Sequence, residues 1–520
     1  MPDMMSRHLF IAFLLLPVVT YALAGQTVSE PTFTVNRFEI MGEQPLASAS
    51  VQELLRVYTG KAINISDLQS AAKRLEDAIK AQGYIFYRVV VPPQQPLDGV
   101  IQLKVLRFNI NRVDVTGNKH FSDENIRASL PHLVVGESPN TRPVQRALQI
   151  ANDHPAKRAT IVMRQSREVP DAIDAELQVR DVKPQQTYVS LSNTGTQATG
   201  DYRLSFGYQH SNLFDRDHSV TLSYTTSPDY WSDVRQFGIF YRIPLYSLGG
   251  SLHAYYTDSS ANSGTIDSFD VSGSGSFYGL QYRQALPKIG DYSHSVFVGL
   301  DDKDFGSDVT LLGVQIGVDV RSRPLTLGYA GKWKKANTEL TGSISWFSNT
   351  GSGASNDDAT YTASRAGADS GWSKINIQAS VEHSFTNQWK ATAVFQYQDT
   401  SDALISGEQF GLGGASTIRG FAEREIAGDR GHLLRVEVWA PKFKNNIQPF
   451  AFVDSGKLSL VEPIAGTPDD QALSSAGIGL TWSYKDNLNL RMGWATVLDG
   501  AGTTEKNNDK LHVNVFYRFD

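Results

Sequence analysis

Residues 475–484 read SAGIGLTWSY, a segment in which apolar and small polar side chains alternate at every position. In an extended strand, all the larger apolar residues of this segment fall on one face: Ala476, Ile478, Leu480, Trp482 and Tyr484. Alternation with a period of two predicts a β-strand with one apolar face. Because this face ends in two aromatic residues, the segment is typical of a strand that crosses a lipid bilayer between aromatic girdles.

The same alternation recurs from residue 186 onward, for example in YRLSFGYQ (202–209), NLNLRMGW (487–494) and LHVNVFYRF (511–519). The opposite faces carry charges among small residues, as a water-filled lumen requires: Arg203, Arg435, Glu437, Arg491 and Arg518. The sequence therefore predicts a transmembrane antiparallel β-barrel of about 16 strands at 186–520, an even number as in bacterial outer-membrane barrels. A soluble all-β sandwich, with shorter strands, is the alternative.

Residues 31–182 alternate short strands with helices instead. The strand FTVNRFEIMG (33–42), two helical segments and two more strands form a β-α-α-β-β unit. The unit recurs once, which predicts two α+β domains at 31–106 and 107–182. In the helical segment SDLQSAAKRLEDAIKAQG (66–83), Ser66 or Asp67 is the expected N-cap and Gly83 follows the last turn.

Residues 1–24 predict a secretory signal peptide, with Arg7, the apolar run 9–19 and a small-x-small cleavage site at 22–24. No later apolar run reaches the roughly 18 residues of a spanning helix. The chain has no cysteine, so an exported protein of this sequence must rely on a large core or a closed sheet rather than on disulfides. A net charge of −6 gives no electrostatic reason to expect nucleic acid.

A glycine-rich segment, GLGGASTIRGFAEREIAGDRGH (411–432), connects two of the predicted strands. If the α+β half stays in the periplasm, odd-numbered strands run outward, and this connection after the eleventh strand lies on the cell-surface side. In QPFAFVDSG (448–456), alternation directs Phe452 and Asp454 into the lumen. A carboxylate next to the low-dielectric membrane needs a partner. We expect the loop to fold inward and to deliver Arg419 to Asp454 as a bidentate pair, with Phe452 beside the guanidinium. A solvated surface loop with a chance Arg-Gly-Phe is the alternative.

These features together resemble one known family. The two repeats are similar to POTRA domains. The loop sequence Ile418-Arg419-Gly420-Phe421 is similar to the family signature Val/Ile-Arg-Gly-Tyr/Phe, and Phe452-Val453-Asp454-Ser455-Gly456 is similar to its partner motif Phe-x-Asp-x-Gly. Over nearly all of the mature chain, the sequence resembles the two-partner secretion translocators (TpsB family, haemolysin/haemagglutinin secretion and activation type).

The resemblance implies two periplasmic α+β POTRA domains followed by a transmembrane barrel in the bacterial outer membrane. It implies a pore that recognises an unfolded exoprotein through the POTRA domains and translocates it to the cell surface. The implied loop latch is Ile418, Arg419, Gly420 and Phe421, and its partner on the barrel wall is Phe452, Asp454 and Gly456. The implied partners are a secreted exoprotein of adhesin, haemolysin, haem-binding or toxin type, outer-membrane lipid and the barrel assembly machinery, and the chain is expected to be a monomer.

The same resemblance leaves one rival function open. Assembly factors and insertases for other outer-membrane proteins share the loop and the barrel, but they usually carry more POTRA domains. An outer-membrane enzyme is not expected, because Gly-x-Ser-x-Gly and His-Glu-x-x-His are both missing from the sequence, and neither a metal nor a cofactor is expected.

Two further expectations concern individual segments. Many family members carry a plug helix before the first POTRA domain, and the short distance from a mature start near residue 25 to Phe33 predicts that this chain lacks one. The segment 348–371, rich in Gly, Ser, Asn and Asp, is expected to be a mobile surface loop.

Overall fold

The computed structural model of the protein describes residues 31–519, apart from residues 96, 197–198, 261–263, 267–268, 272–273, 308–309, 312–313, 316, 464–465 and 486. The predicted signal peptide, residues 1–24, lies outside the described residues, as do residues 25–30, which precede the first predicted strand and were expected to form no plug helix. The chain divides into two compact units. The first comprises the residues up to 79 together with 87–106, and the second comprises 80–86 together with the residues from 107 onward.

The first unit is a small α+β fold. Its elements are β1 Phe33–Val35, β2 Arg37–Met41, α1 Ser48–Leu55, a 3-10 helix Arg56–Tyr58, β3 Lys61–Ile63, α2 Ile65–Ala81, β4 Tyr87–Val90 and β5 Val100–Arg107. The main sheet has the order β2-β5-β4, in which β2 runs parallel to β5 and lies at an edge, and β1 pairs separately with β3. Helix α2 buries one face, which carries Leu68, Leu75 and Ile79.

The N-cap predicted for α2 is wrong. The helix begins one residue earlier than Ser66, at Ile65. Asn64 caps it, because the Asp67 amide donates to Asn64 Oδ1 (2.9 Å) and the Asn64 amide donates to Asp67 Oδ2 (3.1 Å). This reciprocal pair of hydrogen bonds satisfies two backbone amides. The Asp67 amide, in the first turn, is one that has no acceptor within the helix. Gly83 follows the helix with φ +101°, as expected of a residue just beyond a C-terminus.

The second unit begins with another α+β segment of the same plan. Its elements are β6 Asn109–Thr116, α3 Asp123–Ala128, α4 Thr141–Asn152, β7 Lys157–Gln165 and β8 Ala172–Asp181. The sheet order is β6-β8-β7, with β6 parallel and β7 antiparallel to β8. Helix α4 begins at the side-chain cap of Asn140 and turns Val144, Ala147 and Ile150 toward the sheet. The core of the segment thus repeats the arrangement of helices on one face of a three-stranded sheet.

The rest of the second unit is a closed antiparallel barrel. Its elements are β9 Gln185–Ser192, β10 Arg203–Leu213, β11 His218–Thr226, β12 Arg235–Leu245, β13 Gly250–Ser259, β14 Gly264–Ile266, β15 Phe269–Val271, β16 Ser274–Ala285, β17 Tyr292–Gly306, β18 Thr310–Leu311, β19 Val314–Gln315, β20 Val320–Ser322, β21 Pro324–Lys335, β22 Thr338–Asn349, α5 Asp358–Ser364, β23 Ser373–Ser384, β24 Lys390–Asp399, a 3-10 helix Ser406–Glu408, β25 Phe410–Leu412, β26 Ile426–Gly428, β27 Arg430–Trp439, a 3-10 helix Lys444–Asn446, β28 Ile447–Ser459, β29 Asp470–Tyr484, β30 Leu488–Asp499 and β31 Asp509–Phe519.

Sixteen strands make the wall. The pairs β14–β15, β18–β19 and β25–β26 are separate hairpins in loops, and β20 and β21 both pair with β17 as one interrupted strand. The first strand, β9, pairs with β10 on one side and with the last strand, β31, on the other, which closes the sheet. The predicted fold class, two α+β domains followed by an antiparallel barrel of about 16 strands, is confirmed. Among the described helices, none combines the length and apolar character needed to cross a bilayer.

The two faces of the wall differ as the alternation predicted. Along β28, burial alternates residue by residue, so that Val453 is 52% exposed whereas Asp454 is fully buried. Ile478 and Trp494, on β29 and β30, are likewise exposed on the outer face. The outer face is therefore apolar and suits lipid, and the lumen holds the charges.

Two predicted loops differ from the structure. The segment expected at 411–432 belongs to a longer connection, 400–429, because β24 ends at Asp399. The last three residues of the expected segment, 430–432, are the first residues of β27. The segment 348–371, expected to be a mobile surface loop, is folded instead. It contains α5, and Tyr361 and the adjoining Trp372 are fully buried. Composition concealed this because capping residues and loop residues are the same polar types.

A buried polar cluster joins the second α+β segment to the periplasmic end of the barrel. Lys157 of β7 forms an ion pair with Asp217, in the turn after β10, and neither side chain is more than 1% exposed. Asn125 donates to Asp217 Oδ1 (3.0 Å) and accepts from Lys157 (2.8 Å), and the Tyr246 hydroxyl also donates to Asp217. Burial lowers the pKa of the neighbouring His154 to about 4, so its ring is neutral at neutral pH.

We expect Lys157→Ala to loosen this joint, because Asp217 would remain buried without its cation at a cost of roughly 3 kcal/mol. Proteinase K should then cut the connection at residues 182–184 at least tenfold faster, while the barrel keeps its heat-modifiable migration on gels. Lys119→Ala, which removes an exposed lysine of the same segment, is the matched control. Equal cleavage of the two variants would show that the ion pair does not hold the joint.

Candidate functional site: a loop ion-paired to the barrel wall

The connection 400–429 leaves the barrel rim and returns into the lumen. Within it, β25 and β26 pair as a short hairpin, which presents residues 413–425 as a tip. Gly420, in the tip, has φ +99°, a conformation that side chains with a Cβ rarely adopt. The left-handed turn at this glycine places the residues on either side of it against the wall.

Arg419 makes the central contact of the tip. Its Nε donates to Asp454 Oδ2 (2.6 Å) and its Nη2 to Asp454 Oδ1 (2.7 Å), so the pair is bidentate. The Arg419 amide also donates to Asp454 Oδ2 (3.2 Å), and Nη1 donates to Glu437 Oε1 (2.6 Å). The Phe452 ring lies under the guanidinium, and the distance from Arg419 Cζ to the ring centroid is 3.5 Å. Charge-assisted bonds in this geometry are among the strong ones.

The cluster around Arg419 contains two further cations, and we call Arg419, Arg435, Glu437, Asp454 and Arg491 the Arg419 cluster. Arg491 donates to Glu437 Oε1 (2.7 Å), and Arg435 Nε lies 3.6 Å from Asp454 Oδ1. Three guanidinium groups therefore face two carboxylates, and the cluster has a formal charge of +1. Removing one partner of a buried pair leaves an uncompensated charge, which costs about 3–5 kcal/mol.

The residues beside Arg419 fix the tip by packing and by backbone contacts. Ile418 and Phe421 are fully buried, in a cluster with Leu412, Ile426, Leu433, Leu458, Leu473 and Val497. The Gly420 amide donates to His512 Nε2 (2.9 Å), which assigns the ring proton of His512 to Nδ1. Lys510 donates to the Phe421 carbonyl (3.0 Å). The tip is thus held by strands β27 to β31, on one side of the lumen.

Gly456 has a steric role. A Cβ at this position would lie 2.7 Å from Leu412 Cδ1, 3.1 Å from Ile418 Cδ1 and 2.7 Å from the His432 carbonyl oxygen. The absence of a side chain therefore creates the space in which the loop residues pack against β28.

The structure brings together all seven residues of the two predicted motifs in one site. Sequence reasoning placed Arg435, Glu437 and Arg491 in the lumen but did not identify them as members of the Arg419 cluster. It did not single out His512. Alternation along β27 puts Glu437 on the same face as Arg435, which pairs in register with Asp454, so the strand register was the signal that was missed. Within the described part of the chain, no group of His, Asp or Glu residues is placed to hold a metal ion.

Two family models match the sequence. One, described as haemolysin secretion/activation protein ShlB/FhaC/HecB, matches residues 172–482, and the other, described as POTRA domain, ShlB-type, matches residues 33–107. The first match covers more than half of the chain.

Full-length relatives and solved structures are similar to the chain over most of its length. The heme/hemopexin transporter protein HuxB of Haemophilus influenzae is 22% identical over 483 residues, which are 90% of this chain and 84% of the relative. The outer membrane transporter CdiB of Escherichia coli is 23% identical over 512 residues, which are 94% of this chain and 82% of the relative. The structure of CdiB from Escherichia coli has a TM-score of 0.72 at 19% identity and covers 96% of this chain and 93% of that chain. CdiB from Acinetobacter baumannii has a TM-score of 0.69 at 18% identity, with 94% and 90% covered. At such identities the structural likeness speaks for the fold alone.

Gly456→Ala tests whether the tip depends on the close packing of Leu412 and Ile418 against Gly456 of β28. The added methyl group is expected to displace Ile418 and Leu412 and to destabilise the seated tip by roughly 1–3 kcal/mol, the usual cost of overpacking. Trypsin added to intact cells should then cleave at Arg419 or Arg424 faster than in the parent chain. Gly342→Ala is the control, because the nearest atom to its Cβ would lie at an ordinary 3.5 Å. Unchanged protection of the tip in Gly456→Ala would contradict the steric role.

Proposed function

This chain belongs to the haemolysin secretion/activation family of two-partner secretion transporters in the outer membrane, and we propose how its parts divide the work of export. The first α+β domain, residues 31–106, captures an unfolded exoprotein, and the second α+β domain, residues 107–182, positions it below the barrel. The inward loop closes the pore until export begins. The observation that carries this proposal is the bidentate Arg419–Asp454 pair inside a closed sixteen-strand barrel. Family membership favours secretion over the assembly-factor alternative.

We assign residues 31–106 and 107–182 as the two POTRA domains and place recognition in the first. Edge strand β2 and helix α1 border a groove of about 900 Å³. The groove is lined by the strand residues 37–40 and by Ser48, Val51 and Gln52 of the helix. Among the strands that the structure describes, β2 has a single neighbour in its sheet, so its other edge is available to an extended chain. Pairing through backbone hydrogen bonds captures varied sequences, which suits an unfolded cargo.

We propose that the tip is a latch, with Ile418, Arg419, Gly420 and Phe421 seated against Phe452, Asp454 and Gly456. A buried ion pair contributes little net stability compared with an apolar contact of the same volume, but its geometry is specific. A closure built this way is firm when seated and can be released without unfolding the wall. The family is one of secretion channels rather than of enzymes. The sequence contains no Gly-x-x-x-x-Gly-Lys-Ser/Thr motif, so we attribute the driving force to folding of the exoprotein outside the cell.

The proposed partner is a secreted exoprotein whose type stays open among adhesin, haemolysin, haem-binding protein and toxin. HuxB is described as a heme/hemopexin transporter, which makes a haem-binding cargo one specific candidate. We further propose that the barrel acts as a monomer, is inserted by the barrel assembly machinery and is solvated by outer-membrane lipid through its apolar outer face.

Arg419→Ala is expected to unseat the latch. The lost pair leaves Asp454 less compensated, at a cost of roughly 3 kcal/mol, the lower end of the range for buried pairs because Arg435 remains nearby. Export of the exoprotein should fall at least tenfold and single-channel conductance should rise, while the barrel still inserts. Arg419→Lys should be intermediate, because it keeps the charge but not the planar fork. Arg235→Ala, at an exposed position at the outer end of β12, is the control. Parental export and conductance in Arg419→Ala would rule out the latch.

Gln52→Trp is expected to fill the groove between β2 and α1. Binding of the exoprotein's N-terminal domain to the full-length chain in detergent should weaken at least tenfold, because the indole would occupy the position of the added strand. Lys73→Trp, on the exposed face of α2, adds the same bulk away from the groove. If the two variants bind alike, recognition lies elsewhere.

A further inference from the structure

The loop 350–372, between β22 and β23, is folded around a buried core. Asp357 caps α5 by accepting from the Thr360 amide (2.9 Å), and Asp358 accepts from the Ser370 amide (3.0 Å) and hydroxyl (2.6 Å). Trp372 donates to the Tyr361 hydroxyl (3.3 Å), and both side chains are fully buried. Loops at a barrel rim are usually solvated, so a buried core in this loop indicates that the loop packs on another part of the molecule.

The loop packs on the first part of the connection 400–429. Ala368 and Ala403 form a β-bridge, and both are buried. Together with the bridge residues, the buried cluster contains side chains from both loops and from three strands of the wall: Phe277, Phe305, Val320, Tyr361, Trp372, Leu404 and Ile405. A Cβ at Gly407 would lie 2.3 Å from the ring of Phe305, which points into the lumen. Residues 403–409 therefore lie against the inner wall. We call residues 350–372 together with 403–409 the loop lid.

Asp429 joins the parts of the loop lid. It is fully buried and accepts both Nη1 (2.5 Å) and Nη2 (2.7 Å) of Arg365. It also accepts from the amides of Leu404 (3.0 Å) and Val461 (2.7 Å) and from the amide group of Gln409 (3.0 Å). One carboxylate thus ties α5, both ends of the connection 400–429 and the loop after β28.

Glu408 fastens the loop lid to wall strands other than those that carry the Arg419 cluster. It is 2% exposed and pairs with Lys303 Nζ (2.9 Å) on β17 and Lys374 Nζ (2.8 Å) on β23. The Ser322 hydroxyl donates to it as well (3.1 Å). The latch tip is held by β27 to β31, so the two attachments engage different arcs of the wall.

A cavity of about 680 Å³ lies in the lumen, and Lys303, which pairs with Glu408 of the loop lid, is among the residues that line it. Its lining begins at Asp153 and Pro155, beside the periplasmic joint, and reaches Lys303. Three aromatic residues that line this cavity, Phe240, Tyr255 and Phe347, also pack against the buried cluster of the lid. The cavity therefore extends from the periplasmic joint to the side chains on which the loop lid packs, and the residues that line it do not include the Arg419 cluster.

We propose that the loop lid is a second closure of the pore, separate from the latch, and that Asp429 is the positioning residue that keeps it shut. The inference rests on the proposed export of an exoprotein through the barrel. Release of Arg419 frees the tip at 413–425 but leaves the lid in place. The lid opens when the Arg365–Asp429 fork separates and α5 moves away from residues 403–405.

A reversible disulfide across the lid tests this directly. The chain has no cysteine, so Ala368→Cys/Ala403→Cys introduces a single possible bridge. Residues paired in a β-bridge fall within the Cα separation of roughly 4.4–6.8 Å that disulfides require. Bridged cells should export the exoprotein at least tenfold less than the same cells after a reductant is added, whereas each single-cysteine variant should export normally throughout. Normal export by protein that is bridged on non-reducing gels would overturn the second closure. Failure of export by the parent chain would instead overturn the proposed function.

Asp429→Asn gives an independent measurement in which the lid should loosen rather than lock. We expect higher single-channel conductance and greater cell sensitivity to bulky antibiotics, with the latch tip still protected from trypsin. Combined with Arg419→Ala, the effects should add on a free-energy scale, as for independent sites. Lys457→Gln, which breaks an exposed ion pair to Asp470 (2.7 Å), is the control. Parental conductance in Asp429→Asn would overturn the role of Asp429.

Discussion

Closure of the sheet is the constraint on which the rest of the molecule depends. In hydrocarbon no water satisfies backbone amides and carbonyls, so a sheet that crosses a bilayer must have no open edge. The ladder that meets this requirement is the one between β9 and β31, and its register runs over six residue pairs. Asn193 extends the ladder past the end of β9, because its side chain accepts from the Val513 amide (2.8 Å) and donates to the Leu511 carbonyl (2.6 Å). Once the cylinder is closed, it encloses a wet lumen, and a wet lumen must then be blocked when nothing passes through it.

Three buried carboxylates fix segments of the second unit at three levels, from the periplasmic joint to the outer rim. Asp217 holds the periplasmic joint, Asp454 holds the loop tip and Asp429 holds the rim loops, and none is more than 1% exposed. Each accepts a cationic side chain together with other donors, so none of these three carboxylates is left without a partner. An apolar plug of the same size would close the pore more stably. Charged closures exchange some stability for a defined geometry, and water entering the lumen can solvate both partners when they separate.

The sequence pattern was sufficient for features that repeat or lie close together. Alternation identified the strands, the outer aromatic face and the lumen position of Asp454, because a period of two is visible within a single segment. The need of a lumen carboxylate for a cation, together with the family motifs, indicated Arg419 as its partner. Features that join distant segments were not visible: Lys157 and Asp217 belong to different folds, and nothing local marks either as buried. The folded loop 350–372 was missed for another reason. Its Ser, Asn and Asp residues act as caps and turn ligands around Tyr361, and a composition of this kind also describes a disordered loop.

The connection 400–429 has the unusual property of being fixed at both arcs of the barrel. Glu408 anchors its first part to β17 and β23, whereas Arg419 anchors its tip to β27 and β28. A connection that was fixed to one arc only would move out of the lumen when its single contact broke. In the proposed arrangement the connection is fixed on both arcs, so breaking one contact leaves the other in place. Since each attachment is a buried ion pair with its own partners, the two are energetically separable. One loop therefore takes part in both proposed closures, of which only one is marked by a short sequence motif.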